Sequence, residues 1–254
     1  MIVGISGAPY IDMSEYVDMN KLNSLFLPIA KGIAQLGQFA PATAAYFPRK
    51  TKNRVYKDMN ELTVCDDPDL AEEYAEILAT LSPQQKCKFA ELTNGVVIPG
   101  TYIELRQTIN RSYNDIYESA LCKDNIIIQQ LFPLLMRFIK TLPFETIGRI
   151  VIFISYPHIE GQIHSDLVES KEYTFPPYEN KDAWKDNHFI WFNPRNKKKF
   201  FIYDEELDQK IPLMSSACFF NTWDYHGSDI STVPTFSFRV DGKFTEELKT
   251  KLSL

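Results

Sequence analysis

Residues 149–155 read Arg-Ile-Val-Ile-Phe-Ile-Ser and lie between Gly148 and Pro157. The run offers no polar side to water and is too short for a helix buried all round. Its residues are β-branched and aromatic, so it reads as a strand covered on both faces. A fold for this chain must therefore supply cover on two sides of a sheet. Further short strand-like segments follow at 161–167, 188–193, 199–203, 217–223 and 233–241, separated by turn residues and with no helical stretch between them. Many short strands of this kind predict a sandwich or jelly roll.

The first part of the chain has a different texture. Asp67-Pro68 is an N-cap followed by proline at the first helical position, and Leu70, Tyr74, Ile77, Leu78 and Leu81 follow at helical spacing. Ser82-Pro83-Gln84-Gln85 restarts the pattern as a capping box and Asn94-Gly95 ends it. The spacing predicts further helices over 25–36 and over 124–142, the latter broken near Pro133. A strand is expected within 96–105. The expected organisation is α+β: a mainly helical region over 1–145 packs on a β-sandwich core over 146–254 and shapes its substrate site, the two forming one integrated domain.

Apolar residues make up 44% of the 254 and charged residues 24%, enough for a sizeable core and against disorder. The net charge of −6 is spread along the chain and does not attract phosphate backbones, so nucleic acid is not expected as a partner. The short basic run 195–199 reads as a solvated turn. Cys65, Cys87, Cys122 and Cys218 contain no CxxC spacing; they read as small core residues, not a zinc ribbon or a disulfide framework. Residues 1–10 lack the features of a signal peptide, and the apolar segment 126–142 is too polar to span a bilayer, so no membrane is expected and a cytoplasmic protein is the default. Gly4-Ile-Ser-Gly7 lacks the Gly-Lys-Ser/Thr ending of a phosphate loop and is set aside. There is no internal repeat and no low-complexity segment.

The chain has four histidines, His158, His164, His188 and His226. His164 stands in Gln162-Ile-His164-Ser-Asp166. On a strand, residues two apart share a face, so Gln162, His164 and Asp166 face one way while Ile163 and Ser165 face the other. An imidazole and a carboxylate so placed can clamp a divalent metal. About 60 residues on, Asp224-Tyr-His226-Gly227 offers a second imidazole. Two histidines and one carboxylate leave three open positions on an octahedral metal, the facial triad of non-haem iron(II) sites, where a structural zinc would be closed by a fourth ligand. In Thr235-Phe-Ser237-Phe-Arg239, alternation puts Thr235, Ser237 and Arg239 on one face. A buried arginine needs an anion, and a dicarboxylate co-substrate would supply one, with Ser237 adding a hydrogen bond. His188 opens a strand on the barrel side, where it could meet co-substrate. His158 and Gln162 are candidates for contact with substrate. Trp191, Trp223 and Tyr225 read as barrel packing.

His164-Ser-Asp166, His226 and Arg239, thirteen residues beyond His226, resemble the HxD…H…R pattern of the 2-oxoglutarate and iron(II)-dependent oxygenase superfamily. The resemblance covers roughly 148–242. Many members carry a serine two residues after the arginine; this chain has Asp241 there and Ser237 two before. The resemblance implies a double-stranded β-helix (a jelly roll, cupin-like) and the use of iron(II), 2-oxoglutarate and dioxygen. His164, Asp166 and His226 would hold the metal and Arg239 the far carboxylate of the keto acid. Succinate and carbon dioxide would accompany hydroxylation of a C–H bond, and the presence of Asp166 favours hydroxylation over halogenation. A small molecule such as an amino acid or natural-product intermediate is the expected substrate, under a lid containing Tyr173, Phe175, Pro176, Pro177 and Tyr178. The alternatives are a peptide or protein hydroxylase, a cupin-like metal enzyme without a keto acid, and a non-enzymatic jelly-roll binding module.

Overall fold

A computed structural model describes residues 2–39, 102–109, 113–155, 163–166, 185–231 and 235–254. The helices expected over 67–94 lie outside these residues, as do Cys65 and Cys87. In chain order the elements are β1 (Tyr10–Asp12), α1 (Met19–Ser24), α2 (Phe26–Phe39), β2 (Tyr102–Thr108), β3 (Cys122–Asp124), α3 (Ile126–Gln129), α4 (Pro133–Ile139), β4 (Phe144–Ser155), β5 (His188–Phe192), β6 (Phe200–Asp204), β7 (Gln209–Pro212), β8 (Ala217–Phe220), β9 (His226–Ser228), β10 (Thr235–Phe244) and α5 (Glu246–Leu252).

The strands form a seven-stranded sheet in the order β1-β8-β5-β10-β4-β2-β3 and a three-stranded sheet in the order β7-β6-β9, with every pair antiparallel. β10 runs between β4 and β5, and nine of its ten residues are buried. Its two faces differ in kind. Phe238 stacks on Phe192 at 4.6 Å between ring centroids, and Phe138 of α4 meets both rings edge-on at 5.7 and 6.3 Å. That face is sealed by helix. A fully buried phenylalanine adds about 1.5–3 kcal/mol relative to an exposed one, so this cluster anchors the sheet. The other face carries Thr235, Ser237, Arg239 and Asp241, all buried. It looks toward the smaller sheet, which packs through Phe200 against Trp191 (4.7 Å) and Phe220 (5.6 Å). β4, expected as a strand covered on both faces, is longer than its apolar core and reaches back to Phe144.

Three strands, β1, β2 and β3, come from the part of the chain read as mainly helical, β2 overlapping the strand expected within 96–105, and the 145/146 division falls inside β4. The helical segment expected over 124–142 is broken as the proline requires. Asn125 caps α3 by accepting from Ile128 N–H at 3.3 Å, and α4 restarts with Pro133 in its first turn. Gly148 admits a close approach: a side chain there would collide with the carbonyl of Ile116, so its absence lets the 3-10 turn Tyr113–Tyr117 lie against β4. Cys122 and Cys218 are buried core thiols as expected, pushed up to about 11 and about 12 by burial.

His188 is structural. It accepts from Phe244 N–H through Nδ1 at 3.2 Å, so Nε2 carries the proton and donates to Lys185 O at 2.9 Å. Its ring stacks on Phe244 at 4.6 Å. Both ring nitrogens of His188, the residue expected to face co-substrate, bond to backbone. Burial pulls its pKa from 6.5 to about 4. A depressed folded-state value means that the unfolded chain takes up the proton first, so its contribution is complete above pH 6.5 and is lost as pH falls toward 4. Thermal melts of wild type and His188→Gln should therefore converge in Tm as pH drops from 7 to 4.5. A constant offset between them would refute this account.

Candidate metal centre

His164 and His226 face each other as a hydrogen-bonded antiparallel pair. His164 N–H donates to His226 O at 3.0 Å, and His226 N–H donates to His164 O at 2.8 Å. Residues opposed in this way put their side chains on one face, and the two rings lie 4.5 Å apart. Asp166 is anchored by its N–H to Thr222 O at 2.9 Å. The expected strand over 161–167 is reduced, among the described residues 163–166, to this single bridge at His164. The parity argument nevertheless holds. Asp166 Oδ1 lies 3.9 Å from His164 Nε2 and 4.0 Å from His226 Nε2. One donor atom from each of the three residues falls within 4.8 Å of the others.

The donor set fits a divalent metal. Neighbouring ligands on an octahedral centre with bonds of about 2.1 Å sit about 3 Å apart, so the trio closes on an ion by small side-chain rotations. His226 presents the correct atom: Nδ1 donates to Asp224 O at 2.8 Å, which leaves the Nε2 lone pair facing the trio. Burial holds its pKa down at about 4, so the imidazole is neutral near pH 7, as a ligand must be. The His164 side chain is 51% exposed and that of His226 6%. The trio is thus walled on the His226 side and open on the His164 side.

Behind the trio lies a buried charge network. Arg239 Nε donates to Asp241 Oδ1 at 2.5 Å, one terminal nitrogen to Tyr117 Oη at 2.9 Å, and the other to Asp166 Oδ2 at 3.4 Å. Its guanidinium lies 3.8 Å from the centroid of Phe189. Asp241 also accepts from Arg149 Nε at 2.9 Å. Burial raises the Tyr117 phenol well above its ordinary range, so it stays protonated. Arg239, expected to await a co-substrate anion, is met by carboxylates of the protein itself. It braces Asp166 by the oxygen that does not face the histidines.

A second brace comes from the N-terminus. Asp224 accepts from Val3 N–H at 2.6 Å and Gly4 N–H at 2.8 Å. Gly4 and Gly7 have φ of +63° and +83°, and a side chain on Gly4 would collide with the Ala8 carbonyl. The glycines set aside as a false phosphate loop form a tight turn seated on Asp224, whose own carbonyl oxygen orients His226.

Ser237 has no exposure, and its hydroxyl accepts from Lys198 Nζ at 3.3 Å. Lys198 belongs to the basic run read as a solvated turn; it is instead 8% exposed and points inward. Trp191 is buried as expected, while Tyr225 is exposed and does not pack the interior. His158, Gln162 and the lid residues Tyr173, Phe175, Pro176, Pro177 and Tyr178 lie outside the described residues. Sequence reasoning missed Lys198, Asp224, Arg149, Tyr117 and Asp241.

No protein-family model matches the chain, and no curated protein matches it in sequence. Several solved structures overlap with it. A non-heme monooxygenase in complex with nickel, ThoJ, is 11% identical, with 92% of this chain and 72% of that one covered and a TM-score of 0.34. Dioxygenase for auxin oxidation 1 of Arabidopsis thaliana, bound to 2-oxoglutarate, is 11% identical, with 91% and 82% covered and a TM-score of 0.33. The corresponding rice dioxygenase is 10% identical, with 82% and 77% covered and a TM-score of 0.30. Overlaps this loose carry no argument about the site, which stands on its own geometry.

Asp224→Ala removes the seat of the N-terminal turn without touching a metal donor. It should weaken divalent-metal binding by about 10- to 100-fold, measured by competition with a chromophoric chelator. Unchanged affinity would show that the turn does not orient His226.

Proposed function

We propose that this chain is an iron(II) oxygenase that takes 2-oxoglutarate and dioxygen and hydroxylates a C–H bond of a small molecule in the cytoplasm, on a double-stranded β-helix. One observation carries the reading: His164, Asp166 and His226 converge within 4.8 Å, and no fourth histidine, cysteine or carboxylate joins that group among the described residues. A three-donor site keeps positions for substrates, as a catalytic metal requires and a structural one does not. Iron(II) held by His164, Asp166 and His226 would supply the redox centre for the reaction of the keto acid with dioxygen.

The remaining roles belong to the protein. His226 is fixed by Asp224 O and needs no proton movement to act as a ligand. Asp166 offers Oδ1 to the trio while Arg239 holds Oδ2, which keeps the carboxylate from rotating away. Phe200 and Phe220, 5.7 and 5.4 Å from the His226 ring, exclude water from its buried side. Substrate enters on the His164 side. The net charge of −6 supports a small molecule over nucleic acid, and no helix among the described residues is long and apolar enough to cross a membrane.

The internal pairing of Arg239 favours a second reading, a cupin-like metal enzyme that uses no keto acid. Anaerobic addition of iron(II) and 2-oxoglutarate decides between them. The first reading expects a weak visible charge-transfer band in wild type that is absent in His164→Ala. Iron bound without a band would select the second reading, and failure to bind iron would exclude both.

A further inference from the structure

Lys198 is held in place with unusual care for a surface loop residue. It leaves the turn Pro194–Asn196, in which Arg195 and Asn196 adopt φ of 60° and 48°. The Asn193 side chain binds it from both sides: Nδ2 donates to Lys198 O at 2.7 Å, and Oδ1 accepts from Lys198 N–H at 3.0 Å. The same amide donates to Asn196 Oδ1 at 2.9 Å and so closes the turn. The side chain then runs inward. Lysines that bury only their stems keep the ammonium in water; here the head is buried with the stem. Its contacts are the Ser237 hydroxyl at 3.3 Å and the Phe153 ring at 5.9 Å. An ammonium has three donors, and among the described residues no carboxylate pairs with this one. Burial alone lowers its pKa, to about 8, which leaves it mostly charged at pH 7.

The location is informative. Ser237 and Arg239 occupy alternate positions of β10, on one face and about 7 Å apart. Arg239 reaches Asp166 of the metal trio from that face. Lys198 approaches from the opposite side, on the segment that leads into β6, whose Ile202 pairs with His226. A cation that no carboxylate among the described residues pairs with therefore sits in the same interior as the trio, whereas the arginine the motif nominates already has Asp241.

We propose that the Lys198 ammonium and Ser237 hydroxyl form the receptor for the far carboxylate of the 2-keto dicarboxylic acid, and that Arg239 is a positioning residue for Asp166. This rests on the keto-acid reading above. Lys198 supplies the charge, Ser237 supplies a directed hydroxyl, and the Asn193 clamp fixes the backbone from which the lysine side chain runs inward.

The test compares two probes on the iron(II)-loaded protein without oxygen: 2-oxoglutarate, and 2-oxobutanoate, which lacks the far carboxylate. Binding is read from the chelate band. Lys198→Met, a neutral residue of similar length, should weaken 2-oxoglutarate by about 100-fold and leave 2-oxobutanoate unchanged. Lys198→Arg should recover part of the loss, and Ser237→Ala should cost about 10-fold. Melting curves of the unliganded variants verify that each is folded. Unchanged 2-oxoglutarate affinity in Lys198→Met, or an equal loss for both acids, overturns the receptor while leaving the keto-acid reading intact. If wild type forms a chelate with neither acid, the keto-acid reading fails instead. Glutarate added to metal-free protein then decides the receptor: a rise in Tm present in wild type and absent in Lys198→Met sustains a carboxylate site, and no rise in wild type overturns it.

Discussion

The Asp241 carboxylate, with no exposed surface, accepts from Arg149 Nε at 2.9 Å and from Arg239 Nε at 2.5 Å. Two guanidiniums on neighbouring strands of one sheet, that of Arg239 buried and that of Arg149 half-buried, would otherwise repel each other in a medium that screens charge poorly. With Asp241 between them, β4 and β10 carry cations on the interior face at a tolerable cost. Everything on the metal side follows from that. Arg239 is held in register, so its far end meets Asp166 and Tyr117 in fixed positions. Asp166 in turn has one oxygen committed and one turned toward the histidines. Removing one member of such a network leaves a buried charge without its counterpart, which is far more damaging than replacing the whole set by apolar residues.

This arrangement explains which parts of the site could be seen in the sequence. His164, Asp166 and His226 were legible because strand parity and backbone pairing are local rules: two residues on one segment share a face, and a residue opposite them shares it too. Those rules survive even though residues 163–166 make only a bridge and not a full strand. Lys198 was not legible, because five basic or polar residues in a row resemble a solvated turn until Asn193 is known to fold the backbone over and aim one of them inward. Asp224 was hidden for a related reason. Its partners are two backbone N–H groups some 220 residues away, and no side-chain pattern announces them.

The fold divides in the same way. The apolar strand β4 and the central strand β10 followed from composition alone. β2 overlaps the strand expected within 96–105, whereas β1 and β3, three residues each, carry too few alternations to register against a mainly helical background. β7, short and at the edge of its sheet, carries a polar Gln-Lys start that reads as loop. The closing helix α5 should have been read: Thr245 caps it, Glu246 and Glu247 fill its first turn, and Lys249 and Lys251 its last.

A motif nominates residues; it does not assign their tasks. Arginine and lysine are suited to different work here. The planar fork of Arg239 donates to Asp166, Asp241 and Tyr117 and holds them in one geometry. Lys198 presents a compact charge on a flexible stem, bonded to a single neutral hydroxyl. Of the two, only the lysine would give up no carboxylate partner among the described residues to receive an anion. A site proposed to accept and release a dicarboxylate in every turnover is better served by a cation that no described carboxylate pairs with than by one that would have to break a buried ion pair each time.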